Sequence, residues 1–114
     1  LMFSGCYKLE KADFSFNTSK VTDMTNMFMD CKNIKTLDLS SFNTSNVEDM
    51  SEMFKSCEKL EKIYVGSKFD TSNVTSADDA FLNCDTLIAA HSDVEYDNDK
   101  CLEYIHEGTF FTKK

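Results

Sequence analysis

Residues 37–57 read L-D-L-S-S-F-N-T-S-N-V-E-D-M-S-E-M-F-K-S-C, and parts of this phrase return on both sides. Its closing turn recurs as M-F-S-G-C-Y-K-L at residues 2–9, M-F-M-D-C-K-N-I at 27–34, M-F-K-S-C-E-K-L at 53–60 and A-F-L-N-C-D-T-L at 80–87. Cys6, Cys31, Cys57 and Cys84 therefore stand 25, 26 and 27 residues apart. A period of this size with one short strand and one short helix marks a stacked solenoid, whose coils bury their apolar faces on one another.

Alignment on the cysteines brings the rest into register. Phe16, Phe42 and Phe69 each lie twelve positions ahead of Phe28, Phe54 and Phe81, opening F-N-T-S-K-V at 16–21, F-N-T-S-N-V at 42–47 and F-D-T-S-N-V at 69–74. After each cysteine comes apolar-x-x-apolar-x-apolar: L-E-K-A-D-F at 9–14, I-K-T-L-D-L at 34–39 and L-E-K-I-Y-V at 60–65. This is a leucine-rich-repeat strand pattern, with Leu37 and Leu39 facing inward and Asp38 outward. The growth of the period is confined to the turn after the strand, where Ala12 to Phe16 spans four residues, Leu37 to Phe42 five and Ile63 to Phe69 six.

On the other face, Val47, Met50, Met53, Phe54 and Cys57 predict a short helix. Ser45 and Glu48 fit a capping box for it, and Ser19 and Ser72 fit single caps. The fold expected is an α/β solenoid of leucine-rich-repeat type, with short parallel strands on one face and short helices on the other. Residues 1–90 would form about three full coils plus partial ends. Residues 91–114 would form an irregular C-terminal cap, and a fourth strand is expected to begin in Leu87–Ser92. Leu1 is not an initiator Met, and the chain reads as a piece of a longer protein.

A net charge of -8 over 114 residues disfavours nucleic acid and anionic membranes as partners. No apolar run of about 18 residues occurs, so this segment is not expected to insert into a membrane. The four periodic cysteines read as buried thiols in one ladder, although the coil spacing alone also permits pairing of neighbours. Cys101 has no repeat partner and is expected to be exposed, reactive or paired elsewhere.

Asp93, Glu95, Asp97 and Asp99 fail the calcium-loop pattern, since Tyr104 stands where the closing glutamate belongs. His91 and His106 belong to no paired ligand motif and match no nucleophile. No catalytic, cofactor-binding or metal residue is assigned, and the chain is not expected to be an enzyme. Asn17, Asn43 and Asp70 recur at a turn, where their side chains can bond backbone or the next coil. Asn17, Asn43 and Asn73 also open glycosylation sequons, which matter in a eukaryotic secretory protein.

Taken together, F-N-T-S-x-V, M-F-x-x-C and the leucine-rich strand resemble the BspA-like leucine-rich repeats, the group catalogued as the DUF285 surface-protein repeat. The resemblance covers about residues 2–90. It implies a protein-binding or adhesive module, non-catalytic, on a secreted or cell-surface protein, with a host extracellular or cell-surface protein among its partners. The alternative is a structural spacer that projects another domain from the cell. The third coil departs from the pattern, with Tyr64 to Lys68 at the strand turn and Ala77-Asp78-Asp79-Ala80 in place of the methionines. Its smaller face would let a C-terminal segment pack closer. Specificity would lie in the outward strand positions: Glu10, Lys11 and Asp13, then Lys35, Thr36 and Asp38, then Glu61, Lys62 and Tyr64. Lys35, Asp38, Glu61, Lys62 and Tyr64 are the candidate partner-binding residues, with Tyr64 as the anchor.

Overall fold

A computed structural model describes residues 11–14 and 17–114. Cys6, Glu10 and Phe16 lie outside the described residues, as do the side chains of Lys11 and Asp13. The apolar-x-x-apolar-x-apolar segments form β1 (Lys11–Asp13), β2 (Thr36–Leu39) and β3 (Lys62–Val65), all parallel. Ala12, Leu37 and Ile63 occupy one register row, so the extra residues of the later repeats fall in the turn after the strand. Leu37, Leu39, Ile63 and Val65 face the core.

That longer turn brings two backbones together at Gly66. A Cβ there would stand 2.3 Å from the carbonyl oxygen of Ser40, so this approach is open only to glycine.

The face opposite the sheet is where the sequence reading needs correction. Val47, Met50, Met53, Phe54 and Cys57 are all buried as expected. They do not form a helix. Residues 47–57 run through successive turns, with Met53 N–H bonded to the Met50 carbonyl and Cys57 N–H to that of Phe54. The intervening N–H groups leave the coil: Met50, Glu52, Phe54 and Ser56 donate to the carbonyls of Ser76, Asp78, Ala80 and Leu82. Met24, Asn26, Phe28 and Asp30 donate in the same way to Asp49, Ser51, Met53 and Lys55. An α-helix would spend those donors internally and fasten nothing to its neighbour. The alternation requires left-handed backbone at Asn26, Asp30, Glu52, Ser56, Asp79 and Asn83, with φ between 56° and 64°.

Left-handed conformation costs a non-glycine residue roughly 1–2 kcal/mol, and the bonds it releases to the next coil offset this. The proposed capping box has no helix to cap. Ser45 instead donates its N–H and its hydroxyl to Asn43 Oδ1.

Between the two faces, Phe28, Phe54 and Phe81 stack with centroids 6.0 and 5.5 Å apart and planes within 10°. Beside them, the threonine of F-x-T-S ties each coil to the next. Thr18 Oγ1 donates to the Asn43 carbonyl and accepts from Asn43 N–H, while Thr44 Oγ1 does the same with Asp70. Asn17, Asn43 and Asp70 each accept from the N–H two residues on, so their side chains build the turn locally.

The tail also differs from expectation. Leu87–Ser92 does not begin a strand; α1 (Asp85–Ala89) stands there, with Asp85 in its first turn and Leu87 buried. After a 3-10 turn at Asn98–Lys100, α2 (Cys101–Glu107) ends at Gly108, whose φ of 68° supplies the left-handed cap. β4 (Phe111–Lys113) then pairs parallel with β3, giving the sheet order β1-β2-β3-β4. Phe110 lies 4.9 Å from Phe81 at an angle of 56°, so it meets the end of the phenylalanine stack without continuing it. Tyr104, Ile105 and Phe110 are buried in the same cluster as Ala77 and Ala80, the small residues of the third coil.

Thr44→Val keeps the shape of the side chain but leaves Asp70 N–H without its acceptor. It should lower stability by about 1–3 kcal/mol in urea unfolding, whereas Thr44→Ser should lose much less. A valine variant within about 0.5 kcal/mol of the parent would contradict the role given to this hydroxyl.

Candidate functional site on the outer face of the sheet

Because side chains alternate along a strand, the register defines the outer face. Thr36 and Lys62 share one outward row, and Asp38, Tyr64 and Thr112 share the next. Lys35 and Glu61 precede β2 and β3, where Glu61 N–H bonds the Lys35 carbonyl at 2.8 Å. Lys35, Glu61 and Lys62 are exposed, and Tyr64 is half-buried.

Two ammonium groups flank the tyrosine ring, Lys62 Nζ 5.9 Å and Lys114 Nζ 5.5 Å from its centroid. Both distances suit cation–π attraction, which holds the ring in place.

Asp38 differs from the expectation of an exposed position. It lies on the outward side of β2 but is only 6 % exposed. Lys114 crosses the sheet and pairs with its carboxylate, while Ser40 N–H donates to its other oxygen at 3.0 Å. Lys114 and Ser40 hold the Asp38 carboxyl at about 2. Of the five candidate residues, four therefore remain presented together, and Asp38 instead helps position the cation over Tyr64. Lys114, which sequence reasoning missed, is 76 residues away from Asp38, and only the β3–β4 pairing brings the two together.

The cysteines occupy the interior. Cys31, Cys57, Cys84 and Cys101 are all buried thiols. Cys57 Sγ donates to the Phe28 carbonyl and Cys84 Sγ to that of Phe54, so each thiol binds the preceding coil. Burial pushes Cys57 upward and Cys84 up to about 12. Cys101, expected to be exposed, is 2 % exposed because the start of α2 lies against the third coil. Its Sγ is 3.5 Å from Asn98 Oδ1 and from the Tyr96 hydroxyl.

Other polar groups serve the tail's own structure and its attachment to the third repeat. Asp97 accepts from Asp99 N–H, and its own N–H donates to the Tyr104 hydroxyl. His91 Nδ1 and His106 Nε2 donate to the carbonyls of Leu87 and Val74, each at 2.8 Å. Among the described residues, no three His, Cys, Asp or Glu side chains are gathered to hold a metal ion. No helix among them is long and apolar enough to cross a membrane.

Parallel strands in register, tied one repeat to the next by backbone and threonine bonds, define a repeat scaffold. The chain belongs to the DUF285 family, described as Mycoplasma protein of unknown function, whose pattern matches residues 1–106. No curated protein and no solved structure matches it.

Two measurements follow from this site. The folded-state pKa of Asp38 lies below its ordinary value of about 3.9, so its contribution is complete above pH 4 and is lost as pH falls toward about 2. Asp38→Asn should therefore lower stability at pH 7 and show a smaller acid-dependent loss between pH 4 and 2; identical acid profiles would remove the pair from the account. For the thiols, Cys31, Cys57, Cys84 and Cys101 should resist labelling in the native state and react once denaturant exposes them. Fast native reaction of Cys57 or Cys84 would contradict their packing.

Proposed function

We propose that this chain is a BspA-like leucine-rich-repeat solenoid that acts as a protein-binding or adhesive module of a secreted or cell-surface protein. The observation that carries the reading is Tyr64. On the outer face of the sheet it is half-buried and flanked by Lys62 and Lys114, with Lys35 and Glu61 exposed beside it. A tyrosine with little rotamer freedom is a common anchor at protein interfaces, and the charged side chains around it would form the polar rim. The parallel, in-register strands and the F-x-T-S threonine ties support stacking of the leucine-rich-repeat kind. A host extracellular or cell-surface protein is the partner class this reading implies, and a net charge of -8 argues against nucleic acid.

The test is binding of the fluorescently labelled chain to cultured animal cells, with and without prior trypsin treatment of the cell surface. Wild-type chain should bind trypsin-sensitive sites. Tyr64→Ala should reduce that binding by roughly tenfold, about 1.4 kcal/mol, with an unchanged unfolding midpoint. No trypsin-sensitive binding, or equal binding by the variant, would replace this reading with that of a spacer.

A further inference from the structure

Packing of the tail turns a row of carboxylates to the surface. Asp93, Glu95, Asp97 and Asp99 are exposed and alternate with half-buried Val94, Tyr96 and Asn98. The half-buried residues hold the segment down, since Val94 and Tyr96 pack against the core and Tyr96 stacks on Tyr104 with centroids 5.6 Å apart. The acidic side chains are therefore presented along one outer strip. None of the four takes part in an ion pair among the described residues. Neighbouring like charges repel, so the strip is favoured by an opposite charge brought from outside.

The outer face of the sheet has the opposite character. Lys62 and Lys114 flank Tyr64 there, and Lys35 is exposed beside them. Lys35 and Lys62 form no ion pair among the described residues. Lys114 bonds Asp38, yet its side chain stays 53 % exposed, and an ammonium group has three donors to share. The Asp38 carboxylate is covered, which leaves Glu61 as the exposed carboxylate against these cations among the described residues of the face.

Strip and face lie on different sides of the molecule. Asn98, within the strip, donates to Asp79 Oδ1 at 2.6 Å, and Asp79 is one of the left-handed residues in the turns opposite the sheet. A strip placed there meets a lysine-bearing sheet face only on a second copy.

We propose that this chain associates with copies of itself, the acidic strip of one copy lying across Lys62, Tyr64 and Lys114 of the next. Opposite charge aligns the two surfaces and sets their orientation. Because the contact joins different surfaces, each added copy keeps one strip and one face open, and association does not stop at a dimer. A net charge of -8 on every copy keeps the association weak, while salt of about 0.15 M screens that repulsion beyond about 8 Å and leaves the close contacts. The face is the one assigned above to a protein partner, so copy and partner exclude each other; self-association does not rest on that partner.

Sedimentation equilibrium in about 0.15 M salt is the test. The average mass of the parent chain should rise with concentration up to about 1 mM and return to that of the monomer in about 1 M salt. The face variant, Lys35→Glu with Lys62→Glu, and the strip variant, Asp93→Lys with Glu95→Lys, should each stay monomeric with unfolding midpoints close to the parent's. Mixed in equal amounts they should associate again, since each then meets the opposite charge on the other. A parent chain that stays monomeric to about 1 mM, association that neither variant changes, or a mixture that stays monomeric would overturn the inference. In the last case, cell binding lost by the face variant and kept by the strip variant would give the face to the outside protein instead of a second copy.

Discussion

Each coil of this protein must reach the next through its own backbone. Four alternate N–H groups on the face opposite the sheet leave one coil and meet four carbonyls of the following one, while the strands pair on the other side. This double attachment fixes the spacing at which Phe28, Phe54 and Phe81 stack and at which the F-x-T-S threonines reach the next turn. It also explains the left-handed residues, because a continuous helix would turn those donors inward. The buried thiols depend on the same spacing, with Cys57 and Cys84 each bonding the carbonyl of a phenylalanine one coil back.

Repetition leaves the outer face as the place for individuality. The inward rows are held to apolar residues by packing, whereas Lys35, Glu61, Lys62 and Tyr64 face solvent and can vary without disturbing the core. The tail modifies that face as well as extending the sheet. By placing β4 beside β3, it brings Lys114 to Asp38 and Tyr64, so a residue distant in sequence orders the aromatic ring. On the neighbouring edge Phe111 of the same tail meets Phe69 edge to face.

The strands, their inward residues and the position of the length changes were legible because each repeat offers the same alternating pattern to be aligned. The turn face was legible in burial but not in conformation. Val47, Met50, Met53, Phe54 and Cys57 suit the buried side of a helix and that of a chain of turns equally well. A signal against the helix was present: the residue before each cysteine is Gly5, Asp30, Ser56 or Asn83, and Gly, Asp and Asn are the types that best tolerate left-handed backbone. The threonine of F-x-T-S was likewise invariant through Thr18, Thr44 and Thr71, yet the neighbouring Asn or Asp drew the bonding role in the sequence reading.

By itself the sequence determined the period, the parallel strand register and which residues line the interior, since these follow from local alternation repeated at a fixed interval. Tertiary structure decided the rest. Whether an N–H bonds within its own turn or to the next coil depends on a neighbour some 25 residues away, as does the burial of Cys101 beneath the third coil. Asp38 is covered for the same reason: its cation arrives from a strand whose place beside β3 no local pattern in the tail specifies.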